Sequence, residues 1–313
     1  MSRSWSSSPP VTDHLRHVRA QAHATAFNDL ICDLGWSQRL FSITDGKEYL
    51  AMRDPQEGLD SRGFIVTGVA RDRIPCDFWP IVDDVIAAVD DGVSVYVYGS
   101  VATGQARLGE SDVDVVTLGM DPGEATMLGR ELSARYAART RGVAIGAWTP
   151  ADLADGDAGY GNRVFLKHYC AWLAGPDLAD CLPRFPGDVA AARGFNGDFP
   201  ALATRWTDAL EALNPDDIPA VHGLARRVGR KSLFAVSSMA SVHDSRWTTD
   251  RATAAARWAE VHSDVADDLG LLLAWGDDSK LPSRSELRRI LSTTVGVLVD
   301  QFVRQIGAWR TIT

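Results

Sequence analysis

Val93, Val95 and Val97 alternate with Ser94, Tyr96 and Tyr98, and this period of two predicts a strand that stops at Gly99-Ser100. A Gly-containing connection leads to Asp112-Val113-Asp114-Val115-Val116, a second strand, and RGVAIGAW (141–148) predicts a third. Elsewhere the spacing becomes helical. Phe78, Ile81, Val82, Val85, Ile86 and Val89 predict a helix over 77–90 that ends before Gly92 and packs behind the first strand; 123–140 predicts another. Residues 13–34 read as an amphipathic helix with Asp13 as N-cap and Gly35 just past its end. Within 36–75, GFIVTGVA reads as a strand and TDGKEY as a turn. From Val164 onward, Pro and Gly breaks separate helices at 164–174, 200–213, 218–242, 249–262, 264–275 and 283–310. The expected class is therefore α+β: a mixed sheet with flanking helices, then an all-helical C-terminal domain. The expected divisions are an N-terminal extension (1–74), a mixed domain (75–160) and a helical domain (161–313).

Composition narrows the class without changing it. The 313 residues are 45% hydrophobic and 23% charged, ordinary for a soluble globular chain. A net charge of −9 opposes nucleic-acid binding by bulk attraction. Cys32, Cys76, Cys170 and Cys181 form no Cys-x-x-Cys pair, which predicts buried free thiols in a reducing cytoplasm. The opening MSRSWSSSPPVTD has no apolar core of a signal peptide and reads as a disordered tail. No stretch approaches the roughly 20 apolar residues of a membrane span, so a cytoplasmic protein is expected.

The second strand carries the chemistry. Side chains at i and i+2 of a strand share a face, so Asp112 and Asp114 point together while Val113 and Val115 face the core. Their Cα atoms should lie roughly 6–7 Å apart. Two such carboxylates repel and are costly to desolvate unless a cation sits between them. Hard oxygen ligands suit Mg²⁺, which typically takes one or two carboxylates plus substrate phosphates. Gly99 permits a sharp turn and a close approach to a ligand, and Ser100 adds a hydroxyl and an amide.

Gly99-Ser100 followed by Ser111-Asp112-Val113-Asp114 resembles the signature of the DNA polymerase β-type nucleotidyltransferase superfamily. LKHYCAWLAGPDLADCLP (166–183) and WTTDRATAAARWAEVHSD (247–264) are similar in order and placement to segments of aminoglycoside adenylyltransferases. The resemblance covers about 85–265 and is sharp at 97–116. It implies a magnesium-dependent transfer of a nucleoside monophosphate, AMP from ATP or another nucleoside triphosphate, to an acceptor, with release of pyrophosphate. Asp112 and Asp114 would hold a pair of Mg²⁺ ions, and Gly99, Ser100 and Ser111 would sit against the phosphates.

Further candidates surround that centre. Arg107 could reach the same phosphates or be a loop charge. Arg226, Arg227, Arg230 and Lys231 form a basic cluster, with Lys231 a nucleotide contact, beside the alternative of a solvated, salt-bridged face. Arg246 aligns with a turn that supplies a basic phosphate contact in the resembled enzymes; an N-cap at Thr248 or Thr249 is the plainer reading of that turn. The family's third carboxylate is missing from RGVAIGAW, where Gly142, Ala144, Gly146 and Trp148 share one face. Asp152, Asp155, Asp157 and Glu110 are the substitutes, against loop charges. His168 is a candidate base or a packing residue. Trp172, Trp206 and Trp247 are candidates for stacking on an adenine or a sugar, and most tryptophans should fill helix interfaces.

Three functions remain open. The first transfers AMP to a hydroxyl of a small molecule, an aminoglycoside-like cation being one class, in an acidic cleft lined by 198–217. The second modifies transfer RNA or protein, as nucleotidyltransferase toxins do, and needs a basic acceptor groove. The third binds nucleotide without turnover.

Overall fold

The computed structural model describes residues 41–44, 47–50, 54–214 and 216–310. The helix expected over 13–34 and Cys32 lie outside them. Two small hairpins come first: β1 (Phe41–Thr44) pairs antiparallel with β2 (Lys47–Leu50), and β3 (Gly58–Leu59) with β4 (Ile65–Val66). The strand expected in GFIVTGVA is thus the two-residue β4. After α1 (Trp79–Ala87) come β5 (Ser94–Tyr98), the single turn α2 (Gly99–Ala102), β6 (Val113–Leu118), α3 (Pro122–Arg135) and β7 (Val143–Trp148). Next are α4 (Asp157–Tyr169) and β8 (Cys170–Ala174). Helices follow: α5 (Val189–Asn196), α6 (Phe199–Ala212), α7 (Ile218–Asp244), α8 (Arg251–Val261), α9 (Ala266–Gly276) and α10 (Arg284–Ile290). A π turn, Leu291–Val295, then joins α10 to α11 (Gly296–Gln305).

The main sheet has the order β7-β6-β5-β8, with β6 and β7 parallel and the other pairs antiparallel. This is the expected α+β class, a mixed sheet followed by helices. One element differs. The helix expected over 164–174 ends at Tyr169, and Cys170–Ala174 becomes the edge strand beside β5. A strand's unpaired amides and carbonyls need partners, and β5 would otherwise present a bare edge. The helix α5 was not expected; it is short, and Asp188 caps its first amides.

Alternation along the strands builds two cores. Val95, Val97, Val113, Val115, Val143 and Ile145 pack with Phe78, Ile81, Val82 and Val85 from the α1 region and Leu132 of α3. Tyr96, Tyr98, Val116, Leu118 and Trp148 face the other way and join one core with α4 through α11. Val113 and Val115 therefore point into the first core, as expected, which turns Asp114 between them toward the helical half.

Residues 54–74 bond to both halves. Ala70 N donates to Ala102 O at 3.1 Å, and the Glu57 carboxylate accepts from Tyr169 Oη at 2.8 Å and from Thr249 N at 2.8 Å. Among the described residues no helix is long and apolar enough to cross a membrane. Cys170 is buried and free; Cys76 and Cys181 are free but exposed, unlike the buried thiols expected.

Candidate functional site

Register sets the centre of the site. Tyr98 lies opposite Asp114 on one side and Cys170 on the other, and Asp114 in turn lies opposite Ala144. Just past Tyr98 the chain turns at Gly99, φ +71°, a conformation that L side chains avoid. A Cβ there would stand 3.0 Å from Asp114 Oδ2, so glycine makes room for the carboxylate as well as the turn. Gly99-Ser100 does more than end β5, because it opens α2, whose first amides have no partner within the helix.

Asp114 is buried and Asp112 is half-buried. Burial drives the enclosed Tyr98 hydroxyl well above its ordinary pKa, with the charges of Asp114, Cys170 and Asp112 adding to the effect. Ser111 is buried too; its Oγ accepts from Arg107 N at 2.9 Å, and its carbonyl accepts from Thr140 Oγ1 at 2.7 Å. It therefore shapes the turn ahead of the aspartates.

Arg141, ahead of β7, was not anticipated. Its Nε donates to Asp112 Oδ1 at 3.0 Å and its Nη2 to Asp112 Oδ2, a two-pronged ion pair. The Asp112 hydrogen bond raises the guanidinium pKa, and the charges of Asp112, Asp114 and Asp278 add to the shift. A readable signal existed: an arginine heading a strand that runs beside the Asp-x-Asp strand.

Asp278 brings in the helical half. Gly229 of α7 packs on α9, where an added Cβ would lie 2.4 Å from Leu272 O. This close crossing sets Arg226, Arg230 and Arg251 against Asp277 and Asp278 at the end of α9. Arg226 Nε reaches Asp278 Oδ1 at 2.7 Å, Arg251 Nη2 reaches Asp277 Oδ1 at 3.4 Å, and Arg230 Nε donates to Gly276 O at 2.8 Å. Burial, then the neighbouring Arg251 and Arg226, lowers Arg230 to about 10. Arg251 and the two aspartates were missed because no local pattern marks them.

Several expected contacts are placed elsewhere. Lys231 is 1% exposed, 2.8 Å from Asp198, and donates to Phe195 O at 3.2 Å, so its charge is spent inside the helical half. Arg246 is exposed and grips Asp244 two residues away at 2.8 Å. Arg107 is an exposed loop charge 4.0 Å from Glu110. Asp152 Oδ2 accepts from Thr149 N at 2.7 Å, and Asp157 pairs with Arg193 at 3.0 Å; Asp155 is exposed. These four carboxylates therefore hold local structure or face solvent.

His168 Nε2 accepts from Phe185 N at 2.9 Å, and burial, helped by Arg184 and Lys167, pulls its pKa to about 4. It is a neutral packing residue. Trp206 is buried against Phe199, and buried Trp247 donates to Tyr169 Oη at 2.7 Å. Trp172 is exposed at the edge strand, 5.7 Å from the Arg71 guanidinium. Thr248 and Thr249 hold Glu57, and the cap of α8 is Asp250.

Two carboxylates beside a Gly-Ser turn that opens a helical turn make a place where a metal-borne phosphate chain can dock. Residues 81–146 match the family model for a nucleotidyltransferase domain. The matched stretch runs from within α1 to within β7 and contains Gly99, Ser100, Asp112, Asp114 and Arg141. The match supports nucleotidyl transfer in general. It ends before α4, so it does not speak for the likeness to aminoglycoside adenylyltransferases. No curated protein matches the chain.

The residues present fit a divalent ion that arrives with a nucleotide. The Gly99 cradle leaves room at Asp114, and two carboxylates suffice for Mg²⁺ when phosphates complete its shell. Among the described residues no group of three or more acidic, histidine or cysteine side chains forms a metal cage without such help.

Proposed function

We propose that this protein moves AMP from ATP to a hydroxyl of a small molecule. The reading is carried by one observation: Asp114 is enclosed against the Gly99 turn, on the sheet face turned toward the helical half. Asp112 and Asp114 would hold Mg²⁺, which when bound supplies neutralisation of the phosphate oxygens and acidification of the acceptor hydroxyl. The Gly99 and Ser100 amides, with the Ser100 hydroxyl, would hold the β- and γ-phosphates. A cationic acceptor such as an aminoglycoside-like amine suits the net charge of −9. RNA suits the chain less well, because Arg226, Arg230 and Lys231 of the basic cluster are engaged with internal partners.

The test is incubation with ATP labelled at the α-phosphate, Mg²⁺ and a panel of hydroxylated amines. Label should appear in an acceptor-dependent product and be lost in Asp112→Asn and Asp114→Asn. Pyrophosphate release that ignores every acceptor counts against the proposal. A second reading, nucleotide binding without turnover, draws on the pairing of Asp112 with Arg141 and on a β7 strand that carries no carboxylate. Calorimetric ATP binding with no labelled product would favour it.

A further inference from the structure

Asp112 already has a cation. β6 and β7 run in parallel with Val113 opposite Val143, which brings the residues ahead of both strands together. Val113 N donates to Gly142 O at 2.9 Å and Arg141 N to Ser111 O at 3.1 Å, so the backbone of Arg141 is fixed beside Asp112. Its guanidinium then spans both carboxylate oxygens. The Arg141 side chain is 37% exposed against 12% for Asp112. The arginine can swing toward solvent, whereas the carboxylate is held at the head of β6.

We infer that Arg141 is the resident counter-ion of the Asp112–Asp114 site, a guanidinium that a divalent ion must displace from Asp112 before it can take both carboxylates. The inference rests on the metal-binding reading above. Arginine and metal compete for the same lone pairs, and a dication beside a guanidinium is repelled. The pair neutralises one of the two carboxylates before a metal arrives. It also opposes a bare metal ion more than one that comes with a triphosphate, whose negative oxygens would meet the released guanidinium. Loading is thereby biased toward the metal–nucleotide complex.

The test uses Mn²⁺ alone, titrated into the full chain with free Mn²⁺ read by electron paramagnetic resonance. Arg141→Gln should bind Mn²⁺ at least tenfold more tightly than the unaltered protein. Arg141→Lys, which keeps the charge and loses the fork, should fall between them. Mn²⁺ should raise the melting temperature of Arg141→Gln by more than that of the parent, and adding Asp114→Asn should remove the gain. Equal or weaker Mn²⁺ affinity in Arg141→Gln, still lowered by Asp114→Asn, overturns the counter-ion and leaves the metal site standing. Binding that ignores Asp114→Asn sinks the metal reading and this inference together. If Arg141→Gln does not fold, an Arg141→Lys variant no tighter than the parent overturns the inference.

Discussion

Lys231 Nζ and Asp198 Oδ1 lie 2.8 Å apart, with their side chains 1% and 3% exposed, so α7 is tied to the start of α6 by an ion pair shut away from water. Breaking such a pair strands a charge. Lys231→Met should therefore lower the unfolding free energy by roughly 3–5 kcal/mol, read from the denaturant midpoint. Replacing Asp198 by Leu in the same chain should recover much of the loss. ATP affinity of the folded fraction should not change; a selective loss of affinity would return Lys231 to the nucleotide site.

Gly99→Ala tests the turn. At φ +71° an alanine costs about 1–2 kcal/mol of backbone strain, and its Cβ meets Asp114 Oδ2 at 3.0 Å. Thermal melting should show the modest loss of stability. Nucleotidyl transfer should fall by far more than that loss explains, because the carboxylate is displaced. Activity that tracks stability alone would mean that the turn does not shape the site.

His168 makes stability depend on pH in a definite direction. Its folded pKa of about 4 lies below the ordinary 6.5, so the folded state favours the neutral ring that accepts from Phe185 N. The contribution is complete above pH 6.5 and is lost as pH falls through about 4. The full size is on the order of 3 kcal/mol. Denaturant melts between pH 7 and pH 4 should show the decline, and His168→Gln should flatten it. An unchanged slope in that variant would assign the decline to other groups.

Glu57 collects donors from two distant parts of the chain: Tyr169 Oη, Thr248 Oγ1, and both the amide and the hydroxyl of Thr249. Burial still raises its pKa, so the bonds do not fully offset the cost of enclosing the charge. Glu57→Ala should leave those donors unsatisfied and cost roughly 1–3 kcal/mol. Amide exchange in 54–74 should rise more than in β5 or β6. Uniform exchange across the chain would show that Glu57 does not fasten that segment in particular.

Much of the framework was legible because it is written in local periods. Alternating valines marked β5 and β6, and apolar spacing marked α1, α3 and α6 to α9. Asp114 was readable as a strand residue, whereas Asp112 lies just ahead of β6. Cys170–Ala174 was not readable, since an apolar run that directly follows a helix carries no period of its own and β5's open edge decided it. Charge partners were the least readable. Arg226, Arg230 and Lys231 are close in sequence, yet they meet Asp278, Gly276 and Asp198, which lie at the ends of two other helices.

The chain alone determined an Asp-x-Asp leading into one strand and a Gly-Ser turn ending the strand before it, because backbone geometry between adjacent residues admits few alternatives. The tertiary structure alone decided which cation meets those acids. Arg141 reaches Asp112 through the parallel register of β6 and β7, and Arg226 reaches Asp278 through the α7–α9 crossing. Side-chain charges act over distances set by packing, and packing joins residues that no local pattern relates.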